Sequence, residues 1–70
     1  MKLKELLSIL YGRINVFDTD KKHIYSGKCE TLENNEEIDL LLNNYGNREV
    51  FIIHNKKDRI DIGIFKEYEA

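Results

Sequence analysis

The stretch Arg59-Ile60-Asp61-Ile62-Gly63-Ile64-Phe65 decides the fold. Its isoleucines fall at every second position, so Ile60, Ile62 and Ile64 share one face of a strand. Asp61, Gly63 and Phe65 share the other. The polar turn Asn55-Lys56-Lys57-Asp58 precedes this strand. Before the turn, Glu49 to His54 is β-rich, with Val50, Phe51, Ile52 and Ile53 in a row. The two runs read as one antiparallel hairpin.

The first half of the chain carries a second hairpin. Arg13 to Phe17 alternates Ile14 and Val16 against Asn15 and Phe17, and Asp18-Thr19-Asp20-Lys21-Lys22 turns the chain. His23-Ile24-Tyr25-Ser26 then extends to Gly27. Each hairpin follows a helix. Residues 2 to 11 place Leu3, Leu6, Leu7 and Leu10 on one stripe, and Gly12 suits the helix end. For the second helix, Asn34 caps and Glu37 takes the capping-box position. Ile38, Leu41, Leu42 and Tyr45 recur at helical spacing as far as Gly46. The reading is an α+β fold in the order α-β-β-α-β-β, with a four-stranded, mainly antiparallel sheet and two helices on one face. The expected core is Leu3, Leu6, Leu7, Leu10, Ile14, Val16, Ile24, Ile38, Leu41, Leu42, Ile52, Ile60, Ile62 and Ile64.

Seventy residues with no proline and four scattered glycines read as a single domain, 1–70, without a linker. Hydrophobic residues are 41% and charged residues 34%, a globular rather than a disordered balance. The net charge of −2 weighs against a protein that coats nucleic acid. The single cysteine, Cys29, rules out an internal disulfide, and a reducing cytoplasm is the expected setting. The N-terminal apolar run is broken by Lys4, Glu5 and Ser8, so it reads as an amphipathic helix rather than a signal peptide. No apolar run approaches the ~20 residues of a membrane span.

Catalytic signatures fail one by one. His23, His54 and Cys29 lack the paired spacing of a metal site. Asp18-x-Asp20 opens like a calcium loop, but the turn glycine and closing acid are replaced by His23 and Cys29. Cys29 has no nucleophile motif and reads as a half-buried small residue. No glycine-rich phosphate loop is present, because Gly12 and Gly27 stand alone. No enzyme activity and no cofactor are expected.

With the isoleucines under the helices, Phe17, Tyr25 and Phe65 are expected on the open face of the sheet. Phe51 and Ile53 join them if Val50 and Ile52 point inward. Such a face serves as a partner-protein surface, a homodimer seam or a platform for nucleic-acid bases. Charge adds a second feature. Glu30, Glu33, Glu36, Glu37 and Asp39 are five acids without a base among them, while Lys21, Lys22, Lys56, Lys57 and Arg59 gather at the two hairpin turns. The acids suit a helix dipole or a basic partner.

The frame Met1-Lys2-Leu3-Lys4-Glu5-Leu6-Leu7, Ile14-Asn15-Val16-Phe17-Asp18 and Ile24-Tyr25-Ser26-Gly27-Lys28, with its Asn, Lys, Ile and Glu bias, resembles the short orphan proteins of phages and prophages in low-GC bacteria. The resemblance covers about the first 30 residues and carries over no functional residue. It implies a small accessory protein of the kind that blocks host defence enzymes, anti-CRISPR proteins among them. The expected function is steric inhibition of a host defence or nucleic-acid-handling protein such as a nuclease. Phe17, Tyr25, Phe51, Phe65, Glu33, Glu36 and Glu37 would form the contact surface. The alternatives are a homo-oligomeric sponge for a small nucleotide signal, using Arg13, Lys28, Arg48 or Arg59, and a nucleic-acid-binding module.

Overall fold

The computed structural model describes residues 1–29 and 36–67. Six elements follow in the expected order: α1 (Leu3–Leu7), β1 (Gly12–Phe17), β2 (His23–Cys29), α2 (Glu36–Tyr45), β3 (Val50–Asn55) and β4 (Ile60–Ile64). The fold is α+β. Its four strands lie in the order β2-β1-β4-β3. Both hairpins are antiparallel, but the central pair β1–β4 is parallel, so the sheet is mixed. A parallel pair needs a crossover, and the segment holding α2 spans it between the two hairpins.

Alternation sets the buried layer. Ile14 and Val16 of β1 lie level with Ile60 and Ile62 of β4. With Leu3, Leu6, Leu7, Leu41, Ile64 and Cys29, the residues Ile14, Val16 and Ile62 form the core. Leu10, Ile24, Tyr25, Ile38, Leu42, Tyr45, Val50 and Ile60 pack around it half-buried. Both helices therefore cover the same face of the sheet. Cys29 goes deeper than its sequence suggests: it is fully buried, and its thiol donates to the carbonyls of Leu7 and Leu10 at 3.5 and 3.6 Å.

Helix α1 is shorter than the leucine spacing predicts. The Ser8 hydroxyl donates to the Glu5 carbonyl at 2.6 Å, and the Ile9 N–H reaches back only to Leu6, so the helix tightens and stops. Gly12 is not its cap. It opens β1 with φ of 119°, a backbone shape that a side chain disfavours. At the other end, the Lys2 N–H donates to Glu5 Oε1 at 3.0 Å. Met1 and Lys2 run along the first residues of β3, where the Val50 N–H donates to the Met1 carbonyl at 2.8 Å and the terminal amine pairs with Glu49. Gly46 follows α2 as expected, and the Asn34 cap lies outside the described residues.

Two bulges change which side chains face out. In the first hairpin, Val16 is level with Tyr25 and Phe17 with His23, which leaves Ile24 as the extra residue. That shift turns Tyr25 to the buried face, where it packs against the core. In the second, Val50 is level with Ile64 and Ile52 with Gly63, which leaves Phe51 extra. Phe51 and Ile52 both cover Gly63 on the open face, and Ile53 returns to the level of Ile62. Strict alternation predicts the reverse for Tyr25, Ile52 and Ile53, because a single extra residue inverts a strand's parity.

Candidate binding surface

The open face is built in rows that cross the strands. In the first row Phe17 and Ile52 flank Gly63 in register. A β-carbon on Gly63 would stand 2.6 Å from Ile52 Cγ2 and 2.7 Å from Phe51 Cζ, so glycine is what allows these side chains to lie flat there. The Phe51 ring meets Phe17 edge-on at 6.4 Å between centroids and Phe65 at 5.2 Å with a 46° tilt. Phe51 and Ile52 remain 41% and 43% exposed, while Phe17 and Phe65 are half-buried by the cluster. Ring pairs of this geometry add about 0.5–1.5 kcal/mol beyond area burial.

The second row is polar. Ser26, Asn15, Asp61 and His54 lie level across all four strands. The Asn15 amide donates to Asp61 Oδ1 at 3.5 Å, and Arg59 Nε donates to the same oxygen at 3.0 Å. Asn15, Asp61, Phe17, Lys21 and His23 line a shallow hollow of about 280 Å³.

A third row is cationic. Arg13 is level with Lys28 across the first hairpin, and Arg59 stands beside it because Ile14 and Ile60 pair in parallel. Lys56 faces Arg59 at the close of the second hairpin, its N–H donating to the Arg59 carbonyl at 2.8 Å. Arg59 also pairs with Asp58 and Asp61, whereas Arg13 makes no ion pair among the described residues. Tyr11, 72% exposed, precedes β1 at this end. The two basic turns lie at opposite ends of the sheet, because one follows β1, the other precedes β4, and those strands run parallel. At the far end Lys66 pairs with Asp20. There the Asp18 carboxylate accepts the N–H groups of Asp20 and Lys22 at 2.8 and 3.0 Å.

The expected contact surface is thus brought together only in part. Phe17, Phe51 and Phe65 form one cluster, and Ile52 joins them. Tyr25 is in the other layer, lining a hollow of about 350 Å³ between β2 and α2 with Leu41 and Tyr45. Glu36 and Glu37 are exposed in the first turn of α2, also in the helical layer, and Glu33 lies outside the described residues. Of the four cations considered for phosphate, Arg13, Lys28 and Arg59 share the cationic row. Arg48 is at the opposite end, over the Tyr45 ring at 5.2 Å and donating to the Phe65 carbonyl. Among the described residues no three His, Cys, Asp or Glu side chains converge to hold a metal, and no helix is long and apolar enough to cross a membrane. Comparison with protein-family models, with curated proteins and with solved structures finds no match.

Proposed function

We propose that the chain is a binding protein that acts by occlusion, docking its open sheet face on a host defence or nucleic-acid-handling protein and blocking it. The observation that carries this reading is the Phe17–Phe51–Phe65 cluster with Ile52 over Gly63, in which Phe51 and Ile52 are exposed and Phe17 and Phe65 half-buried. Large apolar side chains grouped on a monomer's surface mark contact sites, and aromatic anchors dominate the energetics of interface cores. The likeness to small phage proteins supports a blocking role. The acids of α2 face away from this surface, so they are no part of the primary contact.

The test is quantitative capture from a bacterial lysate by the immobilised chain, with Phe51→Glu and Phe65→Glu compared against Lys4→Glu on the helical layer. A host protein retained by the wild type and by Lys4→Glu, lost from both phenylalanine variants and inhibited by the free wild-type chain supports the proposal. Retention by the phenylalanine variants removes it.

A further inference from the structure

The strand order does something the linear sequence hides. It collects Lys28 of β2, Arg13 of β1, and Arg59 and Lys56 from the turn that joins β3 to β4 into one line at one end of the open face. We propose that this line holds the phosphates of a single-stranded nucleic acid lying across the sheet. The inference rests on the reading that the open face is the contact surface, and goes beyond it by giving the cationic end of that face a second ligand beside the aromatic cluster that meets the host protein.

Three features of the face favour this chemistry. The first is charge segregation. The chain is net negative, yet among the described residues the four cations of the row stand beside two acids, Asp58 and Asp61, while Glu36, Glu37 and Asp39 sit on the helical layer. The second is shape. Four cations at the ~4.8 Å strand spacing make a line about 14 Å long, which suits a linear polyanion better than one isolated phosphate. The third is what lies next to the line. One step of about 6.6 Å along the strands brings Ser26, Asn15, Asp61 and His54, donors and acceptors suited to base edges. Tyr11 at the same end offers a ring on which an unpaired base stacks, apart from the phenylalanines that meet the host protein. A duplex keeps its base faces stacked inside and would leave that ring unused.

The experiment is fluorescence anisotropy with labelled oligo-dT and oligo-rU of about 12 nucleotides at about 50 mM salt, a length within the range of single-strand sites. Wild type, Arg13→Glu, Tyr11→Ala, Phe51→Glu and Lys4→Glu are compared, each checked for folding by circular dichroism. Binding is expected, with log affinity falling against log salt at a slope of about −2 to −3 for three or four phosphate contacts. Arg13→Glu should weaken it at least about tenfold and Tyr11→Ala about fivefold, while Lys4→Glu, an identical charge change on the other layer, stays within about twofold. Three results of the anisotropy experiment overturn the proposal: no binding by folded wild type, equal losses from Arg13→Glu and Lys4→Glu, or displacement by poly-glutamate as effective as by unlabelled oligonucleotide. The last would mark the row as a site for acidic protein. Calorimetric heat with a cyclic dinucleotide and none with the oligonucleotide would also overturn it, in favour of a nucleotide sponge. If the oligonucleotide fails while lysate capture still depends on Phe51, the ligand assignment falls and the open-face reading stands.

Discussion

Replacing Gly63 by alanine puts a single methyl group at the floor of the aromatic cluster. The new carbon would meet Ile52 Cγ2 at 2.6 Å and Phe51 Cζ at 2.7 Å, so both must retreat by about 0.7–0.8 Å to reach ordinary contact near 3.4 Å. Overpacking of this kind costs about 1–3 kcal/mol in a tight site. Phe51 and Ile52 are each more than 40% exposed and have room to yield, which keeps the cost at the low end. Lower chain entropy in the unfolded state returns ~0.4–1 kcal/mol of stability. The net loss is at most about 0.6 kcal/mol, or up to about 5 °C in Tm for a domain of this size. Thermal unfolding followed by circular dichroism measures it. The decisive comparison places Gly63→Ala in a Phe51→Ala/Ile52→Ala background. There the methyl has space, so the same change should be neutral or stabilising, with a coupling of about 1 kcal/mol or more between the sites. Equal Tm losses in both backgrounds would refute the claim that glycine is required by the side chains above it.

Ile62 and Ile53 are level in the sheet but differ in burial, 0% against 48% exposed. Ile62→Ala should cost about 2–5 kcal/mol in denaturant titration and Ile53→Ala under about 1 kcal/mol, and comparable losses would contradict the edge placement of β3. Burial pushes the Cys29 thiol pKa up. The folded state therefore holds that proton more tightly than the unfolded chain, so stability is full below the unfolded thiol's pKa of about 8.5 and falls as pH rises through the folded one. Stability profiles of wild type and Cys29→Ala from pH 7 to about pH 10 should differ by this loss, and a parallel fall in the variant would assign it elsewhere. Native Cys29 should react with thiol reagents only as fast as the chain opens, and reaction at the rate of an exposed thiol would place it outside the core.

The alternation of residues 59 to 65 revealed the central strand because one face of β4 packs on the core, with Ile62 and Ile64 buried and Ile60 half-buried, and burial imposes a period of two. Helix α2 was legible for the same reason at a period of 3.6. Tyr25 and Ile52 were misplaced because each follows an extra residue, and a bulge leaves no mark in apolar periodicity. Leu10 kept the helical spacing but lies beyond α1, where Ser8 takes the Glu5 carbonyl. The phenylalanines of the candidate surface were visible one strand at a time. The cationic row was not, since the pair Lys28 and Arg13 of one hairpin meets the pair Arg59 and Lys56 of the other only through the parallel pairing of β1 with β4. That pairing is a long-range choice between hairpins that either hairpin's own sequence leaves open.

The central claim is that the open face meets a partner other than its own copy. Light scattering on the purified chain across a wide concentration range tests this most directly. The account predicts the mass of one chain throughout, unchanged by Phe51→Glu. A mass of two chains that Phe51→Glu returns to one would make the aromatic cluster a dimer seam and contradict it.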